Sequence, residues 1–296
     1  MQKAQIDIAQ NTESFFSYLN DDADYRTAMS KVEEGIASHD RQLSRSCFDD
    51  EGWAMYEKLI GYGSAKIYGT PSYQFAQTPD GVICRSLPLV FSFPNNNRTF
   101  VEDVVFEFDS ASHKIHSLSF GLSQESLDCI VGKSQWDESS RLTIIRFLEN
   151  YKTAYALKRL DYINSIFADD ALIIVGNVLK QQTVADGINI QPDRQVVRYT
   201  TQTKSEYMRN LRTVFAGNEF INLRFADNEI RKAGSGGEIY GIQIRQDYFS
   251  SNYGDTGYLF LMVDLNDKEK PVIHVRAWQP DKDPDFGLVD LSSFTF

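Results

Sequence analysis

Apolar residues recur along this chain at two periods, and the switch between them marks out its elements. Ile144, Leu148, Tyr151 and Tyr155 fall at i, i+4, i+7 and i+11, one stripe of an amphipathic helix. Glu149, Lys152 and Lys158 lie off that stripe and are expected to be solvated. A second short helix is predicted from about Asp161, with Tyr162, Ile163, Ile166 and Phe167 on its apolar face and Asp169 and Asp170 ending it. "ALIIV" (171–175) then reads as a strand too apolar to face water. Thr203 and Glu206 have capping-box spacing ahead of "YMRNLRTVF", which predicts a third helix to about Phe215. Period-two runs follow at "EFINLRFADNEIRKA", "EIYGIQIRQDYFSS", "GYLFLMVDLND" and "PVIHVRAW", with "GSGG" (234–237) as the first turn. Strands that cluster instead of alternating with helices indicate an α+β fold.

The first half repeats this grammar. Tyr25, Met29, Val32 and Ile36 have the same helical spacing, and "SCFDDEG" (46–52) parallels "IFADDAL" (166–172). "WAMYEKLIGYG" is predicted helical after a cap at Asp50. Strands are predicted at "SAKIYG", "GVICRSLPLVFSF", "RTFVEDVVFEFD" and "KIHSLSF", with "NNN" (95–97) as a hairpin turn. His116 and His274, and Phe120 and Trp278, are each offset by 158 residues (274 − 116 and 278 − 120). This pattern reads as an internal repeat whose first copy lacks the strand after its second helix. The joint falls within 123–140, giving domains 1–130 and 131–296.

Composition narrows the partners. A formal net charge of −11, with no dense basic run, argues against nucleic acid. No stretch approaches the ~18 apolar residues of a membrane span. The N-terminal "MQKAQIDIAQ" has no signal-peptide core, which fits a cytoplasmic start or a mature chain whose signal was removed. Cys47, Cys84 and Cys129 are too scattered for a disulfide framework or a zinc site.

The wording of 138–280, from "FLENYKTAYALKRLDYINSIFADDA" to "VDLNDKEKPVIHVRAWQP", resembles the nuclear transport factor 2-like (NTF2-like, cystatin-like) superfamily of cone-shaped α+β domains. "NYKTAYALKRLDYI" and "GYLFLMVDLND" are similar to exported Bacteroides-type proteins without an assigned activity, which implies a periplasmic or cell-surface location. The resemblance implies tandem cones, each a curved antiparallel sheet wrapped on helices, with the first copy degenerate. It also implies a pocket at the wide end of the cone. Some enzymes of this type, such as ketosteroid isomerase, scytalone dehydratase and limonene epoxide hydrolase, line that pocket with Asp, His, Tyr or Arg. Other members only bind or associate, so fold leaves function open.

Candidate chemistry centres on the last strand. Strict alternation in "PVIHVRAWQP" places His274, Arg276 and Trp278 on one face and Ile273, Val275 and Ala277 on the other. Facing a cavity, His274 would serve as acid or base and Arg276 would hold an anion, oriented by Asp264 or Asp247. The competing reading buries the Val/Ala face and leaves the polar one on an outer or dimer surface. Tyr151, Tyr155 and Tyr162 are either pocket hydroxyls or core rings with wet tips. Asp169 and Asp170 read as a solvated turn in preference to a paired-carboxylate site. "DKDPDFG" begins like a calcium loop at Asp281, Asp283 and Asp285, but its glycine falls one position late and Ser292 replaces the closing Glu. His39, His113, His116 and His274 accompany no nucleophile motif. The expected function is a non-enzymatic ligand-binding or protein-association module, without metal or cofactor and with a homodimer through exposed sheet faces as one form. The alternative is a small-molecule isomerase, dehydratase or hydrolase using the second cone.

Overall fold

A computed structural model describes residues 15–179, 196–234, 236–283 and 287–294. Its contacts separate two compact units. Unit 1 comprises Met1–Arg159, Asn218–Leu223 and Phe249–Asn252; unit 2 comprises Leu160–Gly217, Arg224–Tyr248 and Tyr253–Phe296. The sequence puts the joint at 130/131, whereas the helix after it groups with unit 1.

Unit 1 runs β1 (Ser17–Tyr18), α1 (Ala23–Ala37), a 3₁₀ segment (Arg41–Cys47), α2 (Asp50–Tyr62), β2 (Ser64–Ile67), β3 (Gln74–Thr78), β4 (Gly81–Phe93), β5 (Arg98–Phe108), β6 (Ile115–Phe120), α3 (Gln124–Val131) and α4 (Glu138–Ala156). The sheet order is β1-β3-β4-β5-β6, with β2 also pairing β4. Tyr25, Met29, Val32 and Ile36 of α1 are buried, as their spacing predicts, in one core with Leu89, Phe91, Phe93, Phe106 and Phe108 of the sheet. Asn97 closes the β4–β5 turn in the left-handed conformation (φ 49°), the role its "NNN" context predicts.

The missing strand of the first copy survives as one parallel bridge, Phe48 to Ile115. Asp49, not the expected Asp50, caps α2 by accepting from Gly52 N–H at 2.7 Å, so the chain turns into helix immediately. Gly52 lets that helix close onto β6, since a Cβ there would lie 2.2 Å from the Ile115 carbonyl oxygen.

The rest of the β6 edge is met by α4. Thr153 Oγ1 accepts from Phe120 N–H at 2.7 Å, Glu149 Oε1 accepts from Leu122 N–H at 3.0 Å, and Lys152 Nζ donates to the Gly121 carbonyl at 3.3 Å. Glu149 also pairs with Arg85 at 2.5 Å, and Lys152 with Glu102 at 2.5 Å; Asn222 donates to Glu102's other oxygen. Glu149 and Lys152 are therefore buried, at 2% and 8% exposure, which corrects the expectation that they are solvated. Helical periodicity shows which side of a helix is greasy, but not what an open strand edge demands of the other side.

Unit 2 contains α5 (Leu160–Ser165), β7 (Phe167–Leu179), β8 (Val196–Gln202), α6 (Lys204–Gly217), β9 (Ile221–Lys232), β10 (Ile239–Ser250), β11 (Gly254–Asp264) and β12 (Val272–Gln279), apart from the short parts of β9 and β10 that group with unit 1. The order β8-β7-β12-β11-β10-β9 makes a six-stranded sheet whose last strand returns parallel to its first. It is mixed at that one pair, where the sequence predicts an antiparallel sheet. The capping box forms as read: Glu206 accepts from Thr203 N–H at 2.9 Å, and Thr203 Oγ1 accepts from Glu206 N–H at 3.3 Å.

Asp169 and Asp170 lie inside β7, not in a turn. The pairing jumps from Phe167–Ile273 to Leu172–Val275, so residues 168–171 bow out of the ladder. Lys204 donates to Asp169 at 2.9 Å.

Residues 287–294 form a strap across the face of this sheet opposite Arg276 and Trp278. Gln243 donates to the Val289 carbonyl at 3.0 Å, Val289 N–H donates to Gln279 at 2.6 Å, and the Phe294 ring stacks on Phe260 at 5.8 Å. Val275, Ala277 and Phe260 are buried beneath it. Gly241 makes room for Leu291, where a Cβ would approach to 2.4 Å. Among the described residues, no helix is long and apolar enough to cross a membrane.

Candidate functional site

The predicted residues divide between the units. A bulge decides the position of His274: Met262 pairs with Val275 and Val263 with Ile273, leaving His274 as the extra residue. A bulge re-aims side chains, so the expected face of His274, Arg276 and Trp278 does not form as a set. His274 Nε2 lies 3.8 Å from Asp264 Oδ2, with the imidazole 39% exposed. Arg276 and Trp278 are buried together on the helix-bearing face, the guanidinium 5.1 Å from the Tyr207 ring centroid and the indole across Gly257. Both faces of β12 are thus covered over 275–278, which neither sequence reading anticipates.

Asp247 accepts from Thr256 at 2.8 Å and does not join His274. Tyr253 donates to Asp255 at 2.7 Å; burial raises the Asp255 pKa, while that bond and the Arg276 charge oppose the rise. Tyr151 and Tyr155 belong to unit 1, buried, with hydroxyl oxygens 3.2 Å apart. Asp285 lies outside the described residues; among those described, no cluster of three His, Cys, Asp or Glu is placed to hold a metal.

A hollow of 490 Å³ lies elsewhere, in unit 1. Gly35 and Ile36 from the end of α1, His39, Arg41, Tyr56 and Ile60 from α2, and Gly63, Ser64 and Ala65 leading into β2 line it. Local sequence sets each wall. His39 takes a left-handed conformation (φ 58°) as the chain leaves α1, and Asp40 caps the 3₁₀ segment through Gln42 N–H at 3.1 Å, which brings Arg41 to the rim. The Tyr56 ring is clamped by Phe48 at 4.8 Å and Trp53 at 5.4 Å.

The Tyr56 hydroxyl is fully buried, with Ser44 as its nearest hydrogen-bonding side chain. Ser44, close enough to affect it, donates to the Arg41 carbonyl at 2.9 Å. Burial raises the Tyr56 pKa against the smaller opposing effects of Ser44 and Arg41, so the hydroxyl keeps its proton near neutrality and is a donor. Arg41 approaches Glu57 at 3.7 Å, too long for a hydrogen bond. The sequence marks Tyr56 only as part of a helical run and His39 only as one of four histidines. The hollow depends on how α1, α2 and β2 meet.

No protein-family profile and no curated protein sequence matches the chain. Solved structures similar to it include Bd1075 of Bdellovibrio bacteriovorus, at 12% identity and TM-score 0.35, covering 48% of this chain and 41% of that one. Another is a protein named as a dehydratase of the NTF2-like family from Streptomyces avermitilis, at 11% identity and TM-score 0.32, covering 45% and 89%. A third is named as an aromatic ring hydroxylase from Novosphingobium aromaticivorans, at 12% identity and TM-score 0.35, covering 54% and 98%. Each likeness spans about half of this chain, and none transfers an activity. The topology itself shows the architecture: in unit 2 a short helix, a strand pair, a helix and a meander whose last strand lies parallel to β7 make an α+β unit, and in unit 1 the parallel neighbour of the last strand is reduced to one bridge.

Proposed function

We propose that this chain is a ligand-binding module built on two cone-fold units, with its binding site in the hollow of unit 1. One observation carries the reading: the hollow in unit 1 has the volume of a small-molecule site. The test uses the uncharged apolar dye N-phenyl-1-naphthylamine and a Ser64→Trp variant, which fills the hollow from an exposed rim position. Saturable fluorescence lost in a folded Ser64→Trp protein supports the site; unchanged binding overturns it.

A second reading, catalysis in unit 2 by isomerase, dehydratase or hydrolase chemistry, draws on the His274–Asp264 approach. It requires His274 to meet a substrate, yet His274 lines none of the hollows described. Association as a homodimer through the strapped sheet face requires the strap to move, and sedimentation over a concentration series tests it. The likeness to exported Bacteroides-type proteins supports a periplasmic or cell-surface location, which fractionation of cells expressing the natural gene checks.

A further inference from the structure

We infer that the hollow of unit 1 takes an extended peptide segment of a partner protein, which adds to the open edge of β2 as a further strand. This rests on the preceding reading and adds the class of ligand. Gly63, Ser64 and Ala65 are consecutive, and all three line the hollow. Side chains along a strand alternate between its faces, so a space that meets three successive residues lies at the strand's edge and not over one face. On its other side β2 pairs with β4, and among the described residues it has no second partner strand.

Register fixes which backbone groups meet that space. Ser64 lies opposite Ser92, Lys66 lies opposite Val90, and Tyr68 N–H donates to the Pro88 carbonyl at 2.9 Å. Bonded pairs of an antiparallel ladder recur at every second residue, so Ser64 and Lys66 turn their backbone groups toward β4. Ala65 and Ile67 turn theirs away from it, where no hydrogen bond meets them among the described residues. Ala65 is 8% exposed and lines the hollow, and Ile67 is half-buried. Backbone groups at that depth are costly to leave unpaired, and a second backbone supplies both the donor and the acceptor they need.

The walls choose the occupant. Ile36 of α1 and Ile60 of α2 enclose the space, which suits a free segment and not a strand with its own sheet behind it. The four residues of β2 span about 13 Å, enough to pair a stretch of equal length. Ala65 and Ile67 point their side chains toward the core, so residues directly opposite them are apolar and those between are polar.

The experiment titrates the full chain with the blocked peptide acetyl-Thr-Val-Thr-Val-Thr-Val-amide and with two N-methylated forms. Methylating the valine nitrogens, which face β2 in this register, is expected to weaken binding about tenfold, the scale of one or two hydrogen bonds. Methylating the threonine nitrogens is expected to leave it within about twofold. Ile67→Pro removes the edge donor without touching a bond to β4 and is expected to match the first loss, whereas Ile67→Val keeps the donor and the affinity. If the two methylated forms bind alike, or no form binds while N-phenyl-1-naphthylamine does, strand addition falls and the hollow stands. If methyl signals of Ile36 and Ile60 shift with neither peptide nor dye, both readings fall. A peptide-free dimer in sedimentation that Ile67→Pro abolishes would give the edge to a second copy and overturn the peptide assignment.

Discussion

The last strands of the two units solve one problem in two ways. In unit 2, β12 has a strand on each side, and its outer neighbour β7 pairs from Phe167 to Val175. In unit 1, β6 has lost that neighbour to a single bridge at Phe48, and a helix supplies side chains where a strand would supply backbone. Both strands keep the same bulge. His116 is the extra residue between Ile115 and Ser117, as His274 is between Ile273 and Val275, and the two histidines are 158 residues apart (274 − 116). The repeat thus preserves the kink of the strand while exchanging its edge. An edge can be closed by charged groups, provided every one of them is paired.

The sharpest way to break this comparison is to unpair the edge. Lys152→Met leaves Glu102 buried without its cation, and urea unfolding should show a loss of about 3–5 kcal/mol. The same change at Lys204, whose partner Asp169 is fully exposed, should cost less than about 1 kcal/mol.

Gly52→Ala comes next. It drives a methyl into the Ile115 carbonyl, separating α2 from β6, and should cost about 1–3 kcal/mol. Gly61→Ala, on the same helix with nothing within 4 Å, should stabilise by up to about 1 kcal/mol. Comparable effects at the two glycines would sink the close-approach account. Thr153→Val removes the acceptor for Phe120 N–H and should cost about 1–2 kcal/mol, with faster amide exchange at Phe120.

The smallest effect concerns the bulge histidines. Glu107, 3.7 Å away, raises the His116 pKa against the opposing effect of burial. Stability from this charge is therefore complete below the unfolded histidine value of about 6.5 and is lost as pH rises through the higher folded value. Glu107 has the opposite sign: burial pushes its pKa up, but His116 and Arg146 outweigh burial and hold it low, so its contribution fades on acidification. Stability measured from pH 6 to 8 should fall in the parent and flatten in His116→Asn, by no more than about 1 kcal/mol.

What the sequence reveals follows from the range of the forces involved. The stripe Tyr25, Met29, Val32, Ile36, the Thr203–Glu206 box and each strand of the closing meander are encoded within about a dozen residues, and all appear in the structure. Even the shortened first copy can be read, because "SCFDD" passes directly into a helix. Long-range partners are hidden. Nothing near Glu149 announces Arg85, 64 residues away, and alternation in "VIHVRAW" gives no sign that His274 bulges out of phase. The β3 and β8 strands are short, and the pattern passes over them, although "PDG" (79–81) directly follows β3 as a turn. Tyr56 looks like any helix-core aromatic until Phe48, Trp53 and the end of α1 surround it.

The strap of residues 287–294 carries a consequence for handling the molecule. A protease that severs the chain just after Gln279 would unveil Phe260, Val275 and Ala277 on a sheet otherwise upholstered by its own tail. The trimmed product would be adhesive where the parent is inert, so clumping of nicked material would report the loss of that cover and not unfolding of the cone.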